Sequence, residues 1–309
     1  MVRVLVVGSI HMDLVVVLKR FPEIGETVIG RDFKMTPGGK GANQAVAAAK
    51  LGAETYMVGR LGRDFFGRAL RENLKRNGVR DEFVVEDPES YTGVALIFVD
   101  AKGRNMIAVA PGTDARVAPN DVDCALDTLG SVDAVLLQLE IPLETVTHAA
   151  KRAKEAGALV VLNPAPFKPL PEGIYRHVDV LTPNEVEARQ LASRFGEYAT
   201  LRESCEVLLE KGLSAVVVTL GPKGAHVFSR DFEGLVPAFR VPVVDTTGAG
   251  DAFSAALAVA LSEGMSIEKA VVFANAVAAI KTTRLGAQEG LPYREEVDRF
   301  LSERGVKVG

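Results

Sequence analysis

Asp245 and Asp251 bracket a run of small residues, Thr246-Thr247-Gly248-Ala249-Gly250. Small residues let a backbone turn tightly and approach a ligand with no side chain between, so an anion can rest directly on main-chain N–H groups. The run that follows, Ala252 to Leu261, is apolar and alanine-rich, and Gly264 closes it, which is how a helix of strong formers ends. The turn therefore opens a helix, whose first N–H groups are unpaired and whose N-terminus carries partial positive charge. At that mouth Asp251 has two readings, a proton acceptor beside a bound phosphate or a plain helix cap. Asp245, just after an apolar strand, is either a loop aspartate or a cation ligand.

A second small-residue cluster, Thr36-Pro37-Gly38-Gly39-Lys40-Gly41-Ala42-Asn43-Gln44, runs into the helix Ala45 to Leu51, stopped by Gly52. Lys40 and Asn43 fall in the opening turn, placed to donate to a hydroxylated or anionic ligand, or simply solvated. The Gly-x-x-x-x-Gly-Lys-Ser/Thr phosphate loop is absent, and Gly8-Ser9-Ile10-His11 lacks the dinucleotide fingerprint Gly-x-Gly-x-x-Gly. Further polar residues follow apolar runs: His11 and Asp13 after Val4 to Val7, Glu140 after Ala134 to Leu139, and Asn163 after Leu159 to Leu162. The ends of buried parallel strands are where ligands meet such folds. In Thr182-Pro183-Asn184-Glu185-Val186-Glu187, Thr182, Pro183 and Glu185 read as a capping box. That leaves Asn184 and Glu187 one turn apart, as oxygen donors toward hydrated magnesium and phosphate or as a solvated helix face. Strand Ala215 to Thr219 enters the glycine turn Leu220-Gly221-Pro222-Lys223-Gly224, suited to lie along a nucleotide, and helix Ile267 to Ile280 carries Asn275.

The elements that must position these residues alternate: strand, helix, strand. Continuous apolar strands such as Val4 to Val7 and Ala215 to Thr219 read as buried on both faces, and the repetition predicts a doubly wound, mostly parallel sheet covered by helices. The rhythm breaks at Tyr91 to Val99 and Asn105 to Val109, a hairpin about Asp100-Ala101-Lys102-Gly103. With about residues 14–35, it predicts a small β lid on a single domain spanning residues 1–309. Leu14 to Leu18 shows no polar alternation, so both faces need cover, from the lid or from a partner subunit.

The 309-residue chain is 48% hydrophobic, enough for one large core, and 36 basic against 40 acidic residues give a net charge of -4. No basic block is interleaved with aromatics, which argues against nucleic acid as a partner. Cys124 and Cys205 stand apart, so buried free thiols in a reducing cytoplasm are expected, and no apolar run is long enough to suggest a membrane partner.

Taken together, Gly8-Ser9-Ile10 with Asp13, Gly38 to Ala45, Asn163-Pro164-Ala165-Pro166, Thr182 to Glu185, Asp245 to Asp251 and Thr283 to Gln288 resemble, in order and over essentially the whole chain, the ribokinase and phosphofructokinase-B family of carbohydrate kinases. The resemblance implies ATP-dependent phosphorylation of a pentose hydroxymethyl group, D-ribose to D-ribose 5-phosphate. Other kinases of the family, acting on deoxyribose, a nucleoside, fructose or a keto-deoxy sugar acid, are the alternatives. A non-catalytic sugar or nucleotide sensor is the alternative of another class. It implies Asp251 as general base and the amides of Gly248, Ala249 and Gly250 as anion hole. His11, Asp13, Gly39, Lys40, Asn43 and Glu140 would hold the sugar. Asn184, Thr219, Gly221, Gly224, Gly250 and Asn275 would hold ATP, and Glu187 would hold Mg²⁺ through water. It further implies K⁺ ligated by Asp245 and by backbone oxygens of Thr247, Lys281, Arg284, Gly286 and Gly290, and a homodimer through the lid. Two positions depart from the family: His11 stands where Asn is usual, altering a contact to the sugar ring hydroxyls, and Gly290 stands where Ser is frequent.

Overall fold

The structure is a computed structural model and describes residues 1–308. Strand β1 (Arg3–Val7) lies within the larger of two sheets and is the point from which the chain winds both ways. The chain first builds β2 (His11–Val17) and β3 (Asp32–Gly38) outside that sheet, then α1 (Lys40–Lys50) and β4 (Glu54–Gly62), parallel to β1 on one side. Next come α2 (Phe65–Arg76), β5 (Val84–Asp87) beyond β4, and the hairpin β6 (Gly93–Val99) and β7 (Asn105–Ala110). After α3 (Pro119–Leu129) the winding reverses: β8 (Ala134–Leu137) pairs with the other side of β1. Beyond it follow α4 (Leu143–Glu155), β9 (Leu159–Leu162), β10 (Val180–Leu181), α5 (Glu185–Ala192), α6 (Leu201–Glu210) and β11 (Ala215–Thr219). The antiparallel pair β12 (Ala225–Ser229) and β13 (Glu233–Val236) completes a nine-strand sheet, and α7 (Ala249–Ser262), α8 (Ile267–Thr282) and α9 (Arg294–Ser302) close the chain.

Alternation along the buried strands fills both faces. Val4 and Val6 join the core beneath α1, α7 and α8, while Leu5 and Val7 join the core beneath α3, α4, α5 and α6. Because every side chain of a parallel strand is covered, these strands show no polar alternation. Helix α7 is apolar nearly all round and buried from Asp251 to Ala260, as expected of a helix sandwiched between a sheet and other helices.

The second sheet has the order β3-β2-β6-β7, joining the two segments expected to form the lid. The boundary differs from the sequence expectation in one useful way. His11 and Asp13 are not in a loop after β1 but on β2 itself, opposite Gly38 and Thr36 of β3. Only Gly8, Ser9 and Ile10 separate β1 from β2, so the inner end of the small sheet is pinned to the carboxyl end of β1. Beyond that end both faces stay apolar, with Phe33, Met35, Leu96, Met106, Ile107 and Val109 all exposed. Among the described residues no helix is long and apolar enough to cross a membrane. Both cysteines are free, but Cys124 is exposed rather than buried.

Candidate active site

The winding reverses at β1, between its neighbours β4 and β8, and on the β8 side a crevice lies past the carboxyl ends of β9, β10 and β11, where Asn163, Thr182 and Thr219 line it. Into it points the N-terminus of α7. Gly248 is the N-cap residue, with φ 75°, a left-handed conformation that favours glycine. A cavity of about 180 Å³ lies at this mouth, lined by Lys40, Asn163, Ala165, Thr182, Asn184, Glu187, Thr219, Gly248, Gly250 and Asp251. A Cβ at Gly250 would meet nothing within 4 Å. The amides of Gly248, Gly250 and Asp251 have no acceptor among the described residues, whereas Ala249 donates its N–H to the Thr246 carbonyl at 3.1 Å. Of the three amides expected to form an anion hole, that of Ala249 closes the turn, and the Asp251 amide is free beside those of Gly248 and Gly250.

Asp251 is a buried carboxylate, not a solvated cap. Asn43 Nδ2 donates to its Oδ2 at 2.9 Å and Gln44 Nε2 to its Oδ1 at 3.4 Å, both from the first turns of α1. Behind them runs a chain of side-chain amides. Gln288 donates to Asn43 Oδ1 at 3.0 Å, Asn73 to Gln288 Oε1 at 2.7 Å, and Gln138 to Gln44 Oε1 at 2.6 Å. Each amide fixes the orientation of the next, so the carboxylate is held from both sides. Burial pushes the Asp251 pKa above the ordinary carboxylate range, and the Lys40 charge and the Asn43 and Gln44 hydrogen bonds oppose that push. A buried base so tuned takes up a proton more readily than a solvated one. Reciprocally, Asp251 raises the Lys40 ammonium above its usual value.

The residues expected to hold the sugar gather next to this carboxylate. Glu140 Oε2 accepts from Ser9 Oγ at 2.5 Å and from the Lys40 amide at 2.9 Å. His11 Nδ1 lies 3.1 Å from Asp114 Oδ2, and its Nε2 lies 3.5 Å from Asp13 Oδ1. Burial works against the His11 charge, but the Asp114 hydrogen bond and the fields of Glu140, Asp114 and Asp13 raise its pKa to about 9. Burial raises Asp13 and Asp114 each to about 6. Asp13 Oδ1 is buried and makes no hydrogen bond, so it is an acceptor open to a ligand hydroxyl. Gly38 leaves it room, since a Cβ there would collide with the same oxygen. Gly39, with φ 91°, packs on the Ser9 carbonyl and caps α1. Asp114, which also accepts the Ile10 amide at 2.8 Å, has no motif around it in the sequence. Gln44, Gln138 and Asn73 were equally silent, although Gln44 follows Asn43 and could have drawn attention.

On the opposite wall, Asn184 and Glu187 do line the cavity, but the capping box belongs to them. Asn184 is the N-cap of α5, accepting the Glu187 amide at 2.9 Å and donating its own amide to Glu187 Oε2 at 2.8 Å. The expected frame was two residues early: Thr182 Oγ1 instead lies 2.8 Å from Ser254 Oγ. Burial raises the Glu187 pKa. Thr219 bridges to Asn184 and donates its amide to the Pro183 carbonyl at 2.9 Å. Gly221 is exposed beyond it. Gly224 is buried, and a Cβ there would collide with the Val236 carbonyl, so packing against residues 236–238 is what requires glycine. Asn275 likewise turns to that segment, donating to the carbonyls of Val236 at 3.0 Å and Pro237 at 3.3 Å. Gly221, Gly224 and Asn275 therefore shape the cleft's rim rather than line its cavity.

Asp245, Thr247, Lys281, Arg284, Gly286 and Gly290 meet where the α7 turn crosses the end of α8. Gly286 donates its amide to Asp245 Oδ2 at 2.9 Å, Gly290 to the Gly286 carbonyl at 3.2 Å, and the Arg284 guanidinium pairs with Glu296 at 2.5 Å. Despite partial burial, the Thr247 hydrogen bonds and the Lys281 charge hold the Asp245 pKa low.

Comparison with known proteins gives this geometry a family. The ribokinase of Bacillus subtilis (strain 168) is 44% identical over 300 residues, covering 97% of this chain and 99% of that one. The deoxyribokinase of Salmonella typhi is 39% identical, covering 96% and 98%. The structure of Arabidopsis thaliana ribokinase complexed with ribose and ATP superposes with a TM-score of 0.88 at 34% identity, covering 97% of this chain and 99% of that one. A family model described as pfkB family carbohydrate kinase matches residues 1–294, and the chain belongs to that family.

Proposed function

We propose that this chain transfers the terminal phosphoryl group of ATP to the hydroxymethyl oxygen of D-ribose, giving D-ribose 5-phosphate and ADP. One observation carries the reading: a buried carboxylate, Asp251, sits at a helix mouth whose free amides face the same cavity. The relatives named ribokinase, and the one bound to ribose and ATP, support the choice of substrates. As the hydroxymethyl oxygen bonds to the terminal phosphorus, its proton passes to Asp251. The bond from phosphorus to the bridging oxygen breaks, and ADP leaves with that electron pair. The amides of Gly248, Gly250 and Asp251 meet the charge that spreads over the moving phosphoryl oxygens, and Lys40 adds its positive charge. Asp13, Glu140 and Asn43 hold the acceptor's hydroxyls, with Asp13 Oδ1 the acceptor left free for them.

Asn184 and Glu187 fit a magnesium ion carried mainly by phosphate oxygens and water. Glu187 keeps one oxygen free of the capping box, and among the described residues no group of three or more His, Cys, Asp or Glu side chains is arranged to hold a metal ion by itself. Bound magnesium would neutralise phosphate charge. The potassium expected at Asp245 fits less well, because the Lys281 ammonium already donates to the Asp245 carbonyl.

The four-strand sheet acts as a lid on a single α/β domain, and its uncovered apolar face pairs two copies. Light scattering of the wild type should give a dimer, and Phe33→Glu with Met106→Glu a monomer; a wild-type monomer would end that part of the reading. The substrate is tested by coupled ADP assay with ribose, deoxyribose, fructose, a nucleoside and a keto-deoxy acid. Ribose should give the highest kcat/KM. Preference for deoxyribose would shift the assignment toward the deoxyribokinase relatives, and ligand binding without ADP would favour a sensor.

A further inference from the structure

The α7 turn is fastened to the end of α8 through Asp245. The amides of Val244 and Asp245 both donate to the Thr282 carbonyl, at 2.7 and 3.0 Å. The Asp245 carboxylate takes the Thr247 amide at 2.9 Å and hydroxyl at 2.7 Å on Oδ1, and the Gly286 amide at 2.9 Å on Oδ2. A monovalent metal ion at this junction would need the Asp245 oxygens and the carbonyls around them. The carbonyls of Gly286 and Arg284 do converge beside Gly290, where a Cβ would lie 2.9 and 3.2 Å from them.

A cation from the chain itself already stands at the Asp245 side of this junction. Lys281 is in the last turn of α8, its side chain wholly buried, and its Nζ donates to the Asp245 carbonyl at 2.9 Å and lies 3.6 Å from Oδ2. Position 281 was expected to offer only its backbone oxygen; the side chain was the overlooked part. An ammonium and a potassium ion are of similar size and are both satisfied by oxygen atoms. The carbonyl end of a helix favours either one. A potassium ion here would have to share with Lys281 the oxygens of one aspartate whose carboxylate also accepts three hydrogen bonds.

We propose that the Lys281 ammonium is this chain's built-in substitute for the monovalent cation. It ties Asp245, and through it the open amides of the α7 turn, to α8, so that the chain binds and needs no potassium. The catalytic consequence rests on the kinase reading above; the binding claim does not, and the two are measured separately.

The full-length protein is prepared in potassium chloride and in tetramethylammonium chloride at equal ionic strength. Its melting temperature and its rate of ADP formation with ribose are then recorded. Wild type should melt at the same temperature in both salts and turn over at rates within about twofold, because a ligand that does not bind the native state cannot stabilise it. Lys281→Ala, which empties the place beside the Asp245 carbonyl, should lose activity in tetramethylammonium. Potassium should restore it by about tenfold or more and raise the melting temperature with it. A wild type that gains stability from potassium overturns the proposal, whether or not the variant folds. So does a Lys281→Ala protein that is fully active and indifferent to potassium. If ribose is not the acceptor and no ADP forms in either salt, the kinase reading fails while the melting temperatures still decide the cation.

Discussion

The turn before α1 and the turn before α7 look alike as sequence, each a cluster of small residues feeding an alanine-rich helix, and both end in the same cleft. Their glycines answer to different constraints. At the α1 turn a Cβ on Gly41 would lie 2.7 Å from the Gly8 carbonyl carbon and the Ser9 nitrogen, and one on Gly39 2.7 Å from the Ser9 carbonyl oxygen. Glycine there lets one backbone press on another, which brings Asn43 and Gln44 within reach of Asp251. At the α7 turn Gly250 faces open space, and the amides beside it are unpaired. One turn is closed and holds the Asp251 carboxylate; the other is open and, on the proposed reading, receives the phosphoryl group.

The largest expected effect removes the base from between the two turns. Asp251→Asn keeps the shape and the burial but cannot take a proton, and general-base assistance is worth roughly 10²–10⁴ in rate. kcat should fall by that factor while nucleotide affinity, measured by calorimetry, is retained. Near-normal turnover would return Asp251 to the role of a buried cap and leave the α7 turn without a partner.

A smaller effect separates the turns themselves. Gly41→Ala forces a methyl group into backbone atoms and should cost about 1–3 kcal/mol of stability, the usual range for overpacking. Gly250→Ala adds its methyl to empty cavity inside a helical first turn, so its stability should stay within about 0.5 kcal/mol of wild type. Its kcat/KM should nevertheless fall, because the methyl occupies the place meant for phosphate. Denaturant unfolding and steady-state rates on the same two proteins check this; equal loss of stability in both would erase the distinction between a closed and an open turn.

Where the physics was local, the residues announced the structure. Helix α2 spans Phe65–Arg76, the bounds its amphipathic run predicts, and β11 spans Ala215–Thr219. Helices α3, α6 and α9 went unpredicted, although Thr200 with Glu203 forms a capping box that marks the start of α6; α9 buries just Val297 and Leu301. At the site, residues in glycine-rich turns or at strand ends stood out. The network that holds them did not, since Asn73, Asp114 and Gln138 acquire meaning only when distant segments meet. The capping box slipped two residues because Thr182-Pro183-Asn184-Glu185 and Asn184-Glu185-Val186-Glu187 carry overlapping signals, and the first contains the proline that often opens a helix. Asn184 with Glu187 at N3 closes both hydrogen bonds at once, and that reciprocity sets the start of α5.

The gentlest test asks how the α1 side of the cleft carries its charge. His11 lies on β2 opposite Gly38, and its pKa is raised from 6.5 to about 9. A base held protonated by the fold contributes stability that is complete below about pH 6.5 and disappears as pH climbs through about 9. Asp13 and Asp114, raised from 3.8 to about 6 by burial, act lower on the scale, with stability lost as pH rises from about 4 to about 6. Urea unfolding midpoints should therefore decline between pH 6.5 and 9 in the wild type. His11→Asn should flatten that decline while lowering stability at pH 6.5, where Asp114 loses its charged partner. The backbone amides of the open turn at α7 carry no titration, and the carboxyl beside them, Asp251, is raised by burial in wild type and variant alike. A decline of undiminished size after His11→Asn would mean that His11 does not carry the charge on this wall.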